Sequence, residues 1–248
     1  MELSMIRKAT CHISVEKQSG AGRSAEFTYG SATAFFIGPD TLLTAGHVLS
    51  LGQIGRAQLP GKAKVERDSE GIFKKTVNVS AFDVKAVGCF LVKEGPGRVD
   101  MSVLETVGFT NSDWVTLDLE GNLVVDDLVD VVGYPGTVSE SRLLISHHLI
   151  TNANLDQALQ NARALLPSGT LAVTTGVITS TGEMPTFRVS TTHGMSGAPV
   201  MRKGKIIGIK RTRTSLTYRV AQRVQRKRRE SLHSTGHGSE VGEVNFNL

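Results

Sequence analysis

The chain has 248 residues, with 28 Lys and Arg against 23 Asp and Glu, for a net charge of +5. That length suits one fold of two closely packed lobes with sizeable cores. No apolar run approaches the roughly 20 residues of a membrane-crossing helix, so a helical span is excluded. The first eight residues, Met1 to Lys8, lack a continuous apolar core, so no secretory leader is expected. Cys11 and Cys89 are too few for a disulfide framework and read as buried thiols. Together these features favour the cytosol. The alternative is secretion, if the true start lies further upstream.

Short runs of Val, Ile, Leu and Thr are broken by Gly, Pro, Asn and Asp, which reads as mostly β. Strands are predicted at about 5–16 and 26–37. Phe35-Phe36-Ile37, the turn Gly38-Pro39-Asp40 and Leu42-Leu43-Thr44-Ala45 read as strand, turn and strand delivering His47 on a loop. Further strands are predicted at 76–92 and 99–105, closing a first barrel over residues 1–108. A second set, at 114–118, 129–133, 142–150, 171–180, 186–190, 198–201 and 205–209, builds a second barrel over 109–248. Leu155, Ala158, Leu159, Ala162, Leu165 and Leu166 recur at helical spacing, which predicts a helix over 154–166 ended by Pro167 and Gly169. That helix either packs on the outside of the barrel or forms a lid near a substrate. A terminal strand is predicted at 241–246.

Three segments carry the chemistry: Leu43-Thr44-Ala45-Gly46-His47-Val48, Val99-Asp100-Met101-Ser102-Val103-Leu104 and His193-Gly194-Met195-Ser196-Gly197-Ala198-Pro199-Val200. They supply His47, Asp100 and Ser196 in that order. A serine hydroxyl is a poor nucleophile at neutral pH and needs a base within hydrogen-bond reach, itself oriented by a third group. Asp83 and Asp113 compete with Asp100 for that third role. Asp100 is favoured because it opens the apolar strand Met101 to Leu104. Other histidines, His147-His148 and the His233/His237 pair, lack the cysteines or acids that would complete a metal site.

The order His, Asp, Ser, with Thr-Ala-Gly-His and Gly-Met-Ser-Gly-Ala-Pro around the first and last, resembles the trypsin-like peptidases of the chymotrypsin fold. Val131-Val132-Gly133-Tyr134-Pro135-Gly136 and Gly176-Val177-Ile178-Thr179-Ser180 extend the likeness, and it is greatest to the glutamyl endopeptidase branch. The resemblance implies two six-stranded antiparallel barrels and serine endopeptidase activity. It implies a polypeptide substrate and no cofactor or metal. His47, Asp100 and Ser196 would be the catalytic residues, and the N–H groups of Gly194 and Ser196 the oxyanion hole. Ser190 would lie at the base of the specificity pocket with Thr191 and His233 on its walls. Ser234, Thr235 and Gly236 would pair with the substrate backbone. Ser190 is not an acid, which argues against Lys or Arg in the pocket, while Thr191 and His233 would donate to a carboxylate. Met195 stands where the chymotrypsin branch has the Asp that pairs with a new N-terminus, so that activation switch is absent.

Residues 210–231 hold nine Lys or Arg and one acid, a net of +8, which leaves −3 for the rest of the chain. They interrupt the family pattern between Ile209 and Leu232. Three readings stay open: a nucleic-acid or nuclear-localisation patch, a solvated surface insertion, or a retained short intron. Two other functions stay open with them, a protease-fold binding module whose second barrel is damaged, and a basic nucleic-acid binder.

Overall fold

The computed structural model describes residues 3–19, 26–60, 64–67, 73–77, 81–91, 100–117, 122–138, 154–181, 185–211 and 216–217. The described residues are mostly β, with a closed six-stranded barrel, a six-stranded half-barrel and two helices among them, as in the chymotrypsin-like fold.

The barrel comprises β1 (Thr10–Ser19), β2 (Glu26–Phe36), β3 (Thr41–Thr44), β4 (Ile54–Gln58), β7 (Ala81–Leu91) and β8 (Asp100–Val107), in the order β1-β2-β3-β8-β7-β4. The period-2 rule is clean on β1, where Cys11, Ile13 and Val15 are buried and His12 and Ser14 are half-buried. On β2 the alternation stops. Ala32, Thr33, Ala34, Phe35 and Phe36 are all buried. One face fills the barrel, where Phe36 packs 5.8 Å from Phe82 and Phe82 stacks 4.1 Å from Phe109. Thr33, on the other face, bonds residues of the half-barrel. All four residues of β3 are buried for the same reason, which is how a strand enclosed on both sides reads.

Between β4 and β7 lies a separate hairpin of β5 (Lys64–Arg67) and β6 (Phe73–Val77). The half-barrel comprises β9 (Leu128–Gly133), β10 (Ala172–Ser180), β11 (Thr186–Arg188), β12 (Pro199–Arg202), β13 (Lys205–Lys210) and β14 (Leu216–Thr217), in the order β11-β10-β9-β12-β13-β14. Its own apolar cluster gathers Val129, Val131, Ile178, Phe187, Met195, Val200 and Ile207. The helix α2 (Leu155–Leu165) adds Leu159 to that cluster, and Leu166 follows it in. The helix is therefore packed on the sheet.

Three expectations change. The chain opens with a helix, α1 (Leu3–Ala9), where a strand was predicted from residue 5; Ile6 and Ala9, three residues apart, are its buried face. Residues 114–117, the described part of the strand predicted at 114–118, form no strand but a single parallel bridge, Leu117 to Ile206. Leu165 is 55% exposed, and Leu166 takes the buried place instead. The strands predicted at 142–150 and 241–246 lie outside the described residues. So does most of the basic segment, but Lys210 closes β13, and Leu216–Thr217 pair back onto it as β14. Lys210, Leu216 and Thr217 are thus strand residues of the half-barrel.

Candidate active site

His47 follows β3 on a turn closed by the bond from Val48 N–H to the Ala45 carbonyl, 3.0 Å. The turn lies on Asp100, the first residue of β8. A Cβ on Gly46 would meet Met101 N at 2.9 Å and Asp100 Oδ1 at 3.1 Å, so the approach needs a residue without one. Asp100 holds His47 at two points: Oδ1 accepts the backbone N–H at 2.8 Å and Oδ2 accepts from Nδ1 at 2.7 Å. With Nδ1 as donor, Nε2 of the neutral ring is left as the acceptor.

The pair is asymmetric. Asp100 is 3% exposed, whereas the imidazole is 44% exposed. Burial alone would raise the Asp100 pKa, but the hydrogen bonds and charge of His47, helped by the Arg211 guanidinium, outweigh it and hold the carboxyl below its usual range. The rival acids lie elsewhere. Asp83 pairs with Arg56 at 3.0 Å on the surface, and Asp113 bonds Asn111 and Ser112. Ser102, where the family usually has Ala, donates its hydroxyl to the Leu49 carbonyl at 2.9 Å, tying β8 to the chain just after His47. Cys11 and Cys89 are both free thiols, and Cys89 donates to the Gly46 carbonyl at 3.6 Å.

Ser196 sits on a tight turn before β12. The Ala198 N–H bonds the Met195 carbonyl at 3.2 Å, and the Gly197 N–H bonds the Lys210 carbonyl at 2.9 Å. Gly194 and Gly197 have φ of +81° and +86°, a region that other residues enter only at a cost. Met195 is fully buried in the half-barrel cluster, so an apolar side chain anchors the turn where the chymotrypsin branch uses an ion pair. The turn is seated on the first barrel. A Cβ on Gly197 would run into the Thr33 carbonyl and the Thr44 hydroxyl. Thr44 lies three residues before His47, so the two loops share one seat.

Thr33 makes that seat. Its N–H donates to the Ser196 carbonyl at 2.9 Å, and its hydroxyl donates to the Gly194 carbonyl at 2.7 Å. The same hydroxyl accepts from Tyr134 N–H at 2.9 Å, while its own carbonyl accepts from the Thr44 hydroxyl at 2.7 Å. A residue that is fully buried has every polar group paired.

A family model of the trypsin-like peptidase domain matches residues 32–209. The chain belongs to the trypsin-like serine peptidase family. The match spans Thr33, His47, Asp100 and Ser196 and ends two residues before Arg211. No curated protein matches the chain closely enough to count as a relative. Within this peptidase domain, Ser190 is exposed and Thr191 half-buried, both on the stretch between β11 and the Ser196 turn. His233, Ser234, Thr235 and Gly236 lie outside the described residues. Sequence reasoning missed Thr33 and Arg211. Arg211 belongs to the basic run 210–231, whose three readings give it no place at the site, yet its side chain is 11% exposed and its Nε lies 3.4 Å from Asp100 Oδ2.

Proposed function

We propose that the chain is an active serine endopeptidase in which His47 is the general base, Asp100 its orienting carboxylate and Ser196 the nucleophile. The observation that carries this reading is the two-point hold of Asp100 on His47. A buried carboxylate that takes both Nδ1–H and the backbone N–H fixes the ring and its tautomer, and leaves Nε2 of a partly exposed ring as the base. A merely structural histidine needs no such exposure.

In the proposed cycle His47 takes the Ser196 proton as Oγ attacks the scissile carbonyl. Asp100 stabilises the imidazolium that forms, which then protonates the leaving amine. Water repeats the sequence to release the acyl group. The tetrahedral oxyanion would be met by the N–H groups of Gly194 and Ser196. Thr33 supports that assignment indirectly: it binds the carbonyls of the same two residues, in the peptides that follow each donor, and so fixes the turn on which both donors sit. Each oxyanion donor is typically worth about 3–4 kcal/mol of transition-state stabilisation.

A place in the glutamyl endopeptidase branch, and with it a preference for an acidic side chain before the cleaved bond, is the finer part of the proposal. It rests on Ser190, Thr191 and His233 in the sequence. The test is labelling with a fluorophosphonate probe, followed by kcat/KM on matched Glu, Gln and Lys peptides. Labelling of the wild type but not of Ser196→Ala is expected. A wild-type chain that neither labels nor cleaves would overturn the peptidase reading. Equal rates on Glu and Gln would remove the branch assignment alone.

A further inference from the structure

Asp100 Oδ2 faces two cations. One is transient, the imidazolium that forms when His47 takes a proton. The other is permanent: Arg211 Nε is 3.4 Å away, and a guanidinium stays protonated at any working pH. His47 Nδ1 is nearer, at 2.7 Å, and holds the lone pair. Arg211 Nε makes no hydrogen bond among the described residues, so it acts on the carboxylate as a charge. Water cannot screen the contact well, since the two side chains are 11% and 3% exposed.

Among the described residues, three segments bring charged or titratable groups to this spot. His47 comes from the turn after β3, Cys89 from β7, and Arg211 from just beyond β13. Lys210 is buried, with its backbone N–H and carbonyl bonded at Ala198 and Gly197 on either side of the Ser196 turn. That backbone lock fixes where Arg211 leaves the sheet, and so aims it at Asp100.

We infer that Arg211 is a positioning residue that compensates the Asp100 charge and thereby sets the pH range of the active site. A carboxylate already paired with a fixed cation stabilises an imidazolium less. His47 then stays neutral, and competent as a base, further into the acid range, at some cost in rate on the alkaline plateau. The inference rests on the triad reading given above.

The test compares wild type with Arg211→Met, which keeps the length and removes the charge, and Arg211→Lys, which keeps the charge. For Arg211→Met the acid limb of kcat/KM should move up by about half to one pH unit. That is about three- to tenfold less activity on the limb, with KM little changed. Arg211→Lys should keep the wild-type limb. A structural role alone would lower both neutral and charged variants without moving the limb. A second readout needs no activity: the NMR titration midpoint of the His47 ring, in a Ser196→Ala background, should rise by the same amount when Arg211 becomes Met. If the protein proves not to hydrolyse peptides, that titration still decides the role of Arg211. Midpoints that agree between Arg and Met would overturn the inference. Should Arg211→Met not fold, Arg211→Gln takes its place. If neither neutral variant folds, Arg211 is a structural ion pair and the inference fails.

Discussion

The Thr33 hydroxyl, on a strand of the first barrel, donates to the Gly194 carbonyl on the second unit at 2.7 Å. With its N–H on the Ser196 carbonyl, one buried threonine holds the peptides that follow Gly194 and Ser196. The first prediction follows. Thr33→Val keeps the shape and removes the hydroxyl, leaving the Gly194 carbonyl and the Tyr134 N–H unpaired. Each buried unpaired group costs about 1–3 kcal/mol. If the turn loosens, kcat should fall by about 10²-fold, the order of one lost oxyanion donor, with KM little changed. Thr33→Ser should restore most of it. Paired kcat and KM measurements on both variants, with melting temperatures, check this; an unchanged kcat in a well-folded Thr33→Val would refute it.

Gly197→Ala tests the seat from the other side. The new Cβ would meet the Thr33 carbonyl and the Thr44 hydroxyl at a φ of +86°. Backbone strain of about 1–3 kcal/mol adds to overpacking of about 1–3 kcal/mol. Gly52, with φ of +79° and open space around it, is the control. Gly52→Ala should incur only the backbone part. Urea midpoints at unchanged m-value measure the difference. Equal losses at the two sites would show that the Ser196 turn is not tightly seated.

Asp100 links the site to stability. Its folded pKa lies below its ordinary value, so the folded state binds that proton less readily than the unfolded chain does. The stabilisation is therefore present above the unfolded carboxylate range, near pH 4, and lost as pH falls through the lower folded value. Wild-type stability should drop in that acid window more steeply than that of Asp100→Asn, as read by urea unfolding from pH 6 downward. Parallel slopes would contradict it. At neutral pH the same variant should lose about 10⁴-fold in kcat, because an amide N–H₂ cannot accept from Nδ1–H and the wrong tautomer results.

Ser196→Ala and His47→Ala should each abolish hydrolysis and leave the fold intact, since neither residue belongs to an apolar cluster. Residues that act as one unit give strongly non-additive losses. The double variant should be hardly slower than either single one. Losses in kcat that simply multiply would show that the two residues act separately.

The elements legible in the sequence are those whose burial is written in their alternation or in their punctuation. β3 was read from Leu42 and Leu43 between Pro39 and the His47 turn, and α2 from its apolar spacing. The hairpin β5 and β6 was not, because Lys64, Glu66, Arg67, Lys74 and Lys75 leave it no apolar stripe. α1 was missed because its seven residues bury only Ile6 and Ala9. At the site, His47 and Asp100 could be found from their local motifs, each of which carries its own signal. Thr33 sits among small residues, and what it bonds lies on another unit. A polar residue inside an otherwise apolar run was the available hint. Arg211 was hidden for the opposite reason: it stands at the edge of a run of positive charge, which reads as solvated, while its acidic partner lies far earlier in the chain.

The Ser196 turn draws its shape from two segments far apart in the chain, through Thr33 on β2 and the Lys210 carbonyl on β13. The pairing of His47 with Asp100 needs only the first barrel, whereas the Ser196 turn gains its Gly197–Lys210 bond only once β13 has been made. A chain that ends short of Lys210 would hold all three residues yet leave the Ser196 turn without that edge, so its geometry would be set by Thr33 alone.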